Sequence, residues 1–117
     1  DVITIHVVLS PRTRGLIGAR ELGLMKRNAF LINTSRGPIV EEAALIAALR
    51  DNSIAGAGLD VFDTEPLPLT HPFRKMDNVV ITPHLGYVSE QNYRHYFAGV
   101  VEDIRGFLDG KPVRVMS

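Results

Sequence analysis

The sequence predicts an α/β fold with a parallel sheet of about four strands and flanking helices. Short apolar runs rich in β-branched residues alternate with segments of helical periodicity, as in buried parallel strands that are joined by helices. The runs lie at residues 2–9, 29–33, 54–62 and 78–82. The first run is apolar at both odd and even positions, which predicts a strand that is covered on both faces.

Helical periodicity marks three segments of the chain. The first two run from Ala19 to Lys26 and from Glu41 to Arg50, and the longest runs from Ser89 to Asp109. Ser89 is a favourable N-cap for the longest helix, and Gly110 is a favourable stop. The connection from Asp63 to Asp77 contains three prolines, so we expect it to be mostly loop.

Composition narrows the class of protein. The 117 residues are enough for one domain, and Lys plus Arg equals Asp plus Glu at 13 each. A net charge of zero does not favour a nucleic acid or an anionic membrane as partner. Cysteine is absent, which excludes disulfides and Cys-based metal sites, and we predict no metal. No apolar run reaches the roughly 18 residues of a membrane span. We predict a cytoplasmic protein.

The chain begins without Met and enters an apolar strand at once, at Val2. We therefore expect it to be a piece of a longer polypeptide. A processed natural N-terminus is the alternative.

Reactive side chains follow the predicted strands. Arg36 comes after the second strand, Asp60 and Glu65 come after the third, and His84 comes after the fourth. Because ligands bind outside the carboxyl ends of parallel strands, we expect these side chains to meet at one edge of the sheet. A fixed cation, a group that titrates near neutral pH and a carboxylate to orient it are the ingredients of a catalytic site.

Three motifs in this order resemble the D-isomer-specific 2-hydroxyacid dehydrogenases. They are residues 31–45 (LINTSRGPIVEEAAL), residues 55–62 (AGAGLDVF) followed by Glu65 and Pro66, and residues 78–86 (NVVITPHLG). The resemblance covers essentially the whole chain and implies a partial Rossmann-type, doubly wound sheet. Residues 1–109 would form the second half of an NAD(P)-binding domain. Residues 110–117 would be a tail that returns toward a substrate domain.

The resemblance also implies an activity. The family transfers a hydride between NAD(P)H and a 2-oxo acid or D-2-hydroxy acid, and we favour NAD as the cofactor. Arg36 would bind the small-molecule substrate, His84 would be the acid/base and Glu65 would orient its ring. The residues that would contact the cofactor are His6, Val7, Thr34, Ser35, Arg36, Asp60, His84 and Gly86.

Purely structural roles are the alternative for several of these residues. Asp60 can be the cap of a turn, and His6 can be a packing residue at a strand end. We assign no role to His71 or His95. Tyr87 stands where the family often has a small residue, so it can narrow the substrate pocket. Two other functions are alternatives: an NADH-sensing binding protein like the corepressors that resemble this family, and a truncated product that is inactive alone.

The Gly-x-Gly-x-x-Gly turn that binds a dinucleotide is absent from the chain. In the usual strand order of the fold, the first strand here would be the fourth, whose neighbour is not in this chain. Its bare apolar edge would pair with another chain. We therefore predict a homodimer or a swapped assembly.

Overall fold

Four short parallel strands form one sheet in the computed structural model, which describes residues 1–116. The strands lie in sequence order, and Leu31 on the second strand pairs with Ile3 on one side and with Ala57 on the other. The α/β class and the parallel sheet confirm the prediction. The strands are β1 (Val2–Ile5), β2 (Phe30–Asn33), β3 (Gly56–Leu59) and β4 (Val79–Ile81).

The helices follow the predicted periodicity with small changes at their ends. Helix α1 is shorter than predicted, because the chain turns at Leu24 after Gly23. The loop before β4 contains a single turn of 3-10 helix, and another such turn follows Arg36. The α-helices are α1 (Ala19–Gly23), α2 (Glu42–Arg50) and α3 (Glu90–Leu108), and the 3-10 helices are Gly37–Ile39 and Pro72–Lys75.

The core of the first unit, Asp1–Leu85, is built from the sheet and the helix stripe that packs on it. Leu45 and Leu49 of α2 lie one turn apart, and both are buried. They belong to the same cluster as Leu31 of β2 and Ile54, which are fully buried. This packing fixes the strands, and thereby the positions at which the loops leave them.

The first strand differs from the prediction. It ends at Ile5 instead of Leu9, and Ile5 is its one buried residue, whereas Val2 is 62% exposed. The expected burial of both faces is therefore wrong for this strand. β1 is one of the two edge strands and, within residues 1–116, has only β2 as a neighbour, so fewer atoms surround it. The chain after Ile5 leaves the sheet and becomes a loop.

The second unit begins at Gly86 and consists of α3 with the segment that follows it. The Ser89 side chain accepts a hydrogen bond from the Asn92 N–H at 3.2 Å, which confirms the predicted N-cap. Gly110 has a φ of +66°, as expected for a residue that stops a helix. The Arg114 guanidinium binds the carboxylates of Glu102 and Asp103, so the tail folds back on α3.

The predicted role of residues 110–117 as a return to another domain stays a prediction, and Ser117 lies outside the described residues. Within residues 1–116, no helix is both long and apolar enough to cross a membrane.

Candidate active site

A buried asparagine builds the turn that presents Arg36. The Asn33 side chain is 1% exposed; its Oδ1 accepts the Ser35 N–H at 3.0 Å and its Nδ2 donates to the Arg36 carbonyl at 3.0 Å. The Ser35 hydroxyl donates to the Ile5 carbonyl at 2.7 Å, which ties the ends of β1 and β2 together. Asn33 was not among the site residues predicted from the sequence. The sequence feature that could have indicated this role is an Asn at a strand end, because its side chain can accept a hydrogen bond from the backbone two residues later.

Arg36 is exposed, and its Nη1 donates to the Ser35 carbonyl at 2.7 Å. Gly37 beside it is buried against the backbone of Phe62 and Asp63. A Cβ at Gly37 would lie 2.1 Å from the Phe62 carbonyl carbon, so a larger residue cannot occupy this position without moving the chain. This close approach places the Arg36 segment against the loop that carries Glu65.

His84 and Glu65 form the central contact of the site. The ring Nδ1 of His84 lies 2.7 Å from Oε2 of Glu65. The other oxygen of Glu65, Oε1, accepts the Phe62 N–H at 2.9 Å. Both side chains are about one-third exposed, at 36% for His84 and 35% for Glu65. Glu65 is therefore held at both oxygens while the pair stays accessible to a ligand.

The charge state of Glu65 fixes the proton on the ring. Partial burial raises the pKa of Glu65. The hydrogen bonds from His84 and Phe62 and the charges of His84 and Arg36 lower the pKa by a larger amount, so it is below its usual value. Glu65 is thus a carboxylate at neutral pH and can only accept. Nδ1 of His84 must then carry the proton, which leaves Nε2 as the atom that gains or loses one.

Asp60 supports the turn that contains His84. This carboxylate is 4% exposed, and its Oδ1 accepts the Leu85 N–H at 2.8 Å and the Thr82 hydroxyl. His84 lies between these two donors with a φ of +57°, in the left-handed region that is uncommon for residues other than glycine. The hydrogen bonds on both sides therefore stabilise a turn that would otherwise be unfavourable. The predicted cofactor contact of Asp60 stays a prediction.

A cleft of about 590 Å³ lies at the carboxyl ends of β1 and β2. It brings together five of the residues that were predicted to contact a cofactor, and it adds two apolar neighbours. Its lining residues are His6, Val7, Val8, Leu9, Thr34, Ser35 and Arg36. A second cleft of about 530 Å³ is lined by Glu65 and His84 together with apolar side chains such as Phe62 and Ile81.

Two histidines and a glycine from the sequence analysis have further contacts or lie elsewhere, namely His6, His71 and Gly86. His6 is exposed, and its Nε2 lies 2.8 Å from the Thr4 hydroxyl. Gly86 belongs to the second unit, so its cofactor contact stays a prediction. His71, to which the sequence analysis gives no role, has a side chain only 13% exposed that bonds Glu42 at 3.0 Å. Among residues 1–116, no three His, Asp or Glu side chains are grouped as metal ligands.

Known proteins resemble this chain along its length. A family model for the D-isomer specific 2-hydroxyacid dehydrogenase, NAD binding domain, matches residues 1–86. A glycerate dehydrogenase of Methylorubrum extorquens is 43% identical over 119 residues, which cover 100% of this chain and 38% of the relative. The chain therefore belongs to the D-isomer-specific 2-hydroxyacid dehydrogenase family and contains sequence of its NAD-binding domain.

Solved structures show the same fold. A D-isomer specific 2-hydroxyacid dehydrogenase from Xanthobacter autotrophicus, in complex with NADPH and MES, aligns with a TM-score of 0.77 and 47% identity over 97% of this chain and 46% of that one. The NAD-complexed enzyme of Lactobacillus delbrueckii aligns with a TM-score of 0.85 and 35% identity over 100% of this chain and 40% of that one. The chain thus spans less than half the length of these relatives.

We expect Asp60→Ala to loosen the turn around His84, because the variant leaves the Thr82 hydroxyl and the Leu85 N–H without their acceptor. Hydrogen exchange should show lower protection of the Leu85 amide, and the free energy of unfolding should fall by about 1–3 kcal/mol. Asp60→Asn keeps an acceptor oxygen and should retain most of the protection. An unchanged exchange rate at Leu85 in Asp60→Ala would contradict this role.

We expect His84→Ala to raise the pKa of Glu65, because the variant removes a hydrogen bond and a positive charge that lower it. The titration can be followed by ¹³C NMR of the Glu65 carboxyl group. The lowered pKa means that this contact stabilises the folded protein above about pH 4.3, and that the stabilisation is lost as the pH falls through the folded pKa. His95→Ala is the control, since His95 is not among the groups that shift Glu65. An equal Glu65 pKa in His84→Ala and the wild type would be inconsistent with the pairing.

Proposed function

We propose that the chain is the second half of the NAD-binding domain of an oxidoreductase that interconverts a 2-oxo acid and a D-2-hydroxy acid. The observation that carries the proposal is the 2.7 Å contact between His84 and Glu65, with Arg36 close enough to lower the pKa of the same carboxylate. The family membership and the glycerate dehydrogenase among the relatives support a small hydroxy acid as the substrate class.

In this proposal His84 moves the proton. Glu65 holds the Nδ1 proton, so Nε2 donates a proton to the carbonyl oxygen of the 2-oxo acid during reduction. In the reverse direction, the same Nε2 accepts the proton of the hydroxyl group. An imidazole nitrogen can either donate or accept a proton, which suits both directions.

Arg36 would bind the carboxylate of the substrate. A guanidinium is a planar fork of donors that matches the two oxygens of a carboxylate, and it remains charged at all relevant pH values. One of its nitrogens donates to the Ser35 carbonyl, which orients the group, and a guanidinium offers further donors for the substrate.

The cleft at the ends of β1 and β2 fits part of a nicotinamide cofactor. Its volume of about 590 Å³ lies in the range of small-molecule sites. Val7 and Leu9 offer apolar walls for a ring, and Thr34 and Ser35 offer polar groups for a ribose or an amide. The bound cofactor supplies or accepts the hydride. We favour NAD, although NADPH is bound in one of the related structures and NAD in another.

The chain would be inactive by itself, since the Gly-rich turn that binds the pyrophosphate is absent from its sequence.

The exposed edge of β1, where Val2 is 62% exposed and Ile3 is 41% exposed, supports pairing with a further strand or a second copy. We propose a cytoplasmic homodimer or swapped assembly, without a nucleic acid or a membrane as partner.

We expect the complete polypeptide to reduce small 2-oxo acids with NADH or NADPH, measured by loss of cofactor absorbance. His84→Ala should lower kcat by about 10²–10⁴-fold, because the proton donor is gone. Arg36→Lys should mainly raise KM, because an ammonium cannot bind both carboxylate oxygens through a planar fork.

His95→Ala is the matched control and should keep the wild-type rate. A wild-type kcat in His84→Ala together with a wild-type KM in Arg36→Lys would contradict the proposed function. Cofactor binding without any 2-oxo acid reduction by the wild type would also contradict it.

A further inference from the structure

A second histidine–carboxylate pair lies away from the proposed reacting atoms. Nε2 of His71 is 3.0 Å from Oε1 of Glu42, and the two residues are 29 positions apart in the sequence. The side chains are only 13% and 25% exposed. The contact joins the first turn of α2 to the 3-10 helix Pro72–Lys75.

Both ring nitrogens of His71 are engaged. Nδ1 accepts the Phe73 N–H at 3.3 Å, so Nδ1 is the unprotonated nitrogen. Nε2 then carries the proton and donates it to Glu42. The ring therefore caps the 3-10 helix at its start and also attaches that helix to α2. The Phe73 side chain is buried in the core, and its ring centroid lies 4.8 Å from that of His71.

The two partners belong to the two segments that carry the proposed active site. Glu42 follows Arg36 through the 3-10 helix Gly37–Ile39, and His71 follows Glu65 through a loop. These segments already meet where Gly37 packs on the backbone of Phe62. The Glu42–His71 contact is a second bridge between them.

The loop between Glu65 and His71 is itself stiffened, so the bridge can act on Glu65. The Arg74 guanidinium donates to the carbonyl of Leu67 at 2.8 Å and to the carbonyl of Pro68 at 3.0 Å. The His71 N–H also donates to the Pro68 carbonyl at 3.0 Å. These bonds close the loop on the 3-10 helix that His71 anchors.

Glu42 of the bridge and Asp63 of the neighbouring segment are close enough for their charges to interact. Burial raises the pKa of Asp63, and the nearby carboxylate of Glu42 raises it further, whereas Arg14 and His71 lower it. Asp63 directly follows Phe62, whose N–H holds Glu65. Without His71, Glu42 would lose its hydrogen-bond donor while it still faces the like charge of Asp63, which favours separation of the two segments.

We propose that Glu42 and His71 are positioning residues, which hold the Glu65 segment against the Arg36 segment and thereby set the acid/base pair relative to the substrate-binding cation. The inference rests on the proposed function of Arg36, Glu65 and His84. Neither Glu42 nor His71 touches the reacting atoms in this account; they act through the backbone between them and the site.

Four variants separate the functions of the two partners. His71→Asn keeps an acceptor for the Phe73 N–H but is too short to reach Glu42, whereas His71→Gln reaches toward Glu42 and loses the cap. Glu42→Gln keeps an acceptor for the ring N–H, and Glu42→Ala removes it. Lys75→Ala, an exposed change on the same 3-10 helix, is the control.

The first readout is the Glu65 pKa, followed by ¹³C NMR of the protein. We expect Glu42→Ala and His71→Asn to raise it toward its ordinary value, because Glu65 shifts away from His84 and the Phe62 N–H. Glu42→Gln and Lys75→Ala should leave it close to the wild type. A Glu65 pKa that is unchanged in Glu42→Ala and His71→Asn, with only the melting temperature lowered, would overturn the proposal.

The second readout is kinetic and uses the complete polypeptide. We expect kcat/KM for a 2-oxo acid to fall about tenfold to a hundredfold in Glu42→Ala and in His71→Asn, as small displacements of reacting groups do. The double variant should lose no more than either single one, and Glu42→Gln should recover most of the rate. Additive losses would overturn the proposal. A wild-type protein that does not reduce 2-oxo acids would contradict the proposed function. In that case the Glu65 pKa in the variants still decides whether the bridge positions Glu65.

Discussion

The parallel direction of the four strands is the constraint on which the site depends. Because the strands are parallel, their carboxyl ends all lie at the same edge of the sheet. The loops that follow β1, β2, β3 and β4 therefore meet there, although they are far apart in the sequence. The core residues of the sheet and α2 keep the strands in register, and the loops inherit their positions from that packing. An Arg, a Glu and a His can thus act together without any of them belonging to the same segment.

Buried polar side chains convert this coarse placement into a defined geometry. The Asn33 side chain forms hydrogen bonds to the turn that contains Arg36, and the Asp60 side chain forms hydrogen bonds to the turn that contains His84. These two are the buried polar residues among the described ones. Each is satisfied by backbone or hydroxyl groups next to the residue that it supports. Because removal of a buried partner leaves such groups unsatisfied, the turns are held more firmly than exposed loops. The exposed Arg36 and half-buried His84 can therefore be rigid at their backbone and accessible at their side chains.

Much of the fold and the choice of central residues could be predicted from the sequence, and the supporting contacts could not. The strand runs and the Ser89 cap follow from local periodicity and capping, which adjacent residues determine. The early end of β1 did not follow, because the apolar run continues to Leu9 while the sheet pairing stops at Ile5. His71 was assigned no role, since its partner Glu42 is 29 positions away and only the folded chain brings them together. The close approach of Gly37 to Phe62 is likewise a property of the packed backbone.

The tautomer of His84 decides whether the ring can act as proposed, and it can be read from the ¹⁵N chemical shifts of the two ring nitrogens while the ring is neutral. We expect a proton on Nδ1 and an unprotonated Nε2 in the wild type, because ionised Glu65 can only accept a hydrogen bond at 2.7 Å from Nδ1. In Glu65→Ala this preference should disappear. A neutral wild-type ring that carries its proton on Nε2 would show that Glu65 does not hold the Nδ1 proton and that Nε2 is not the proton acceptor.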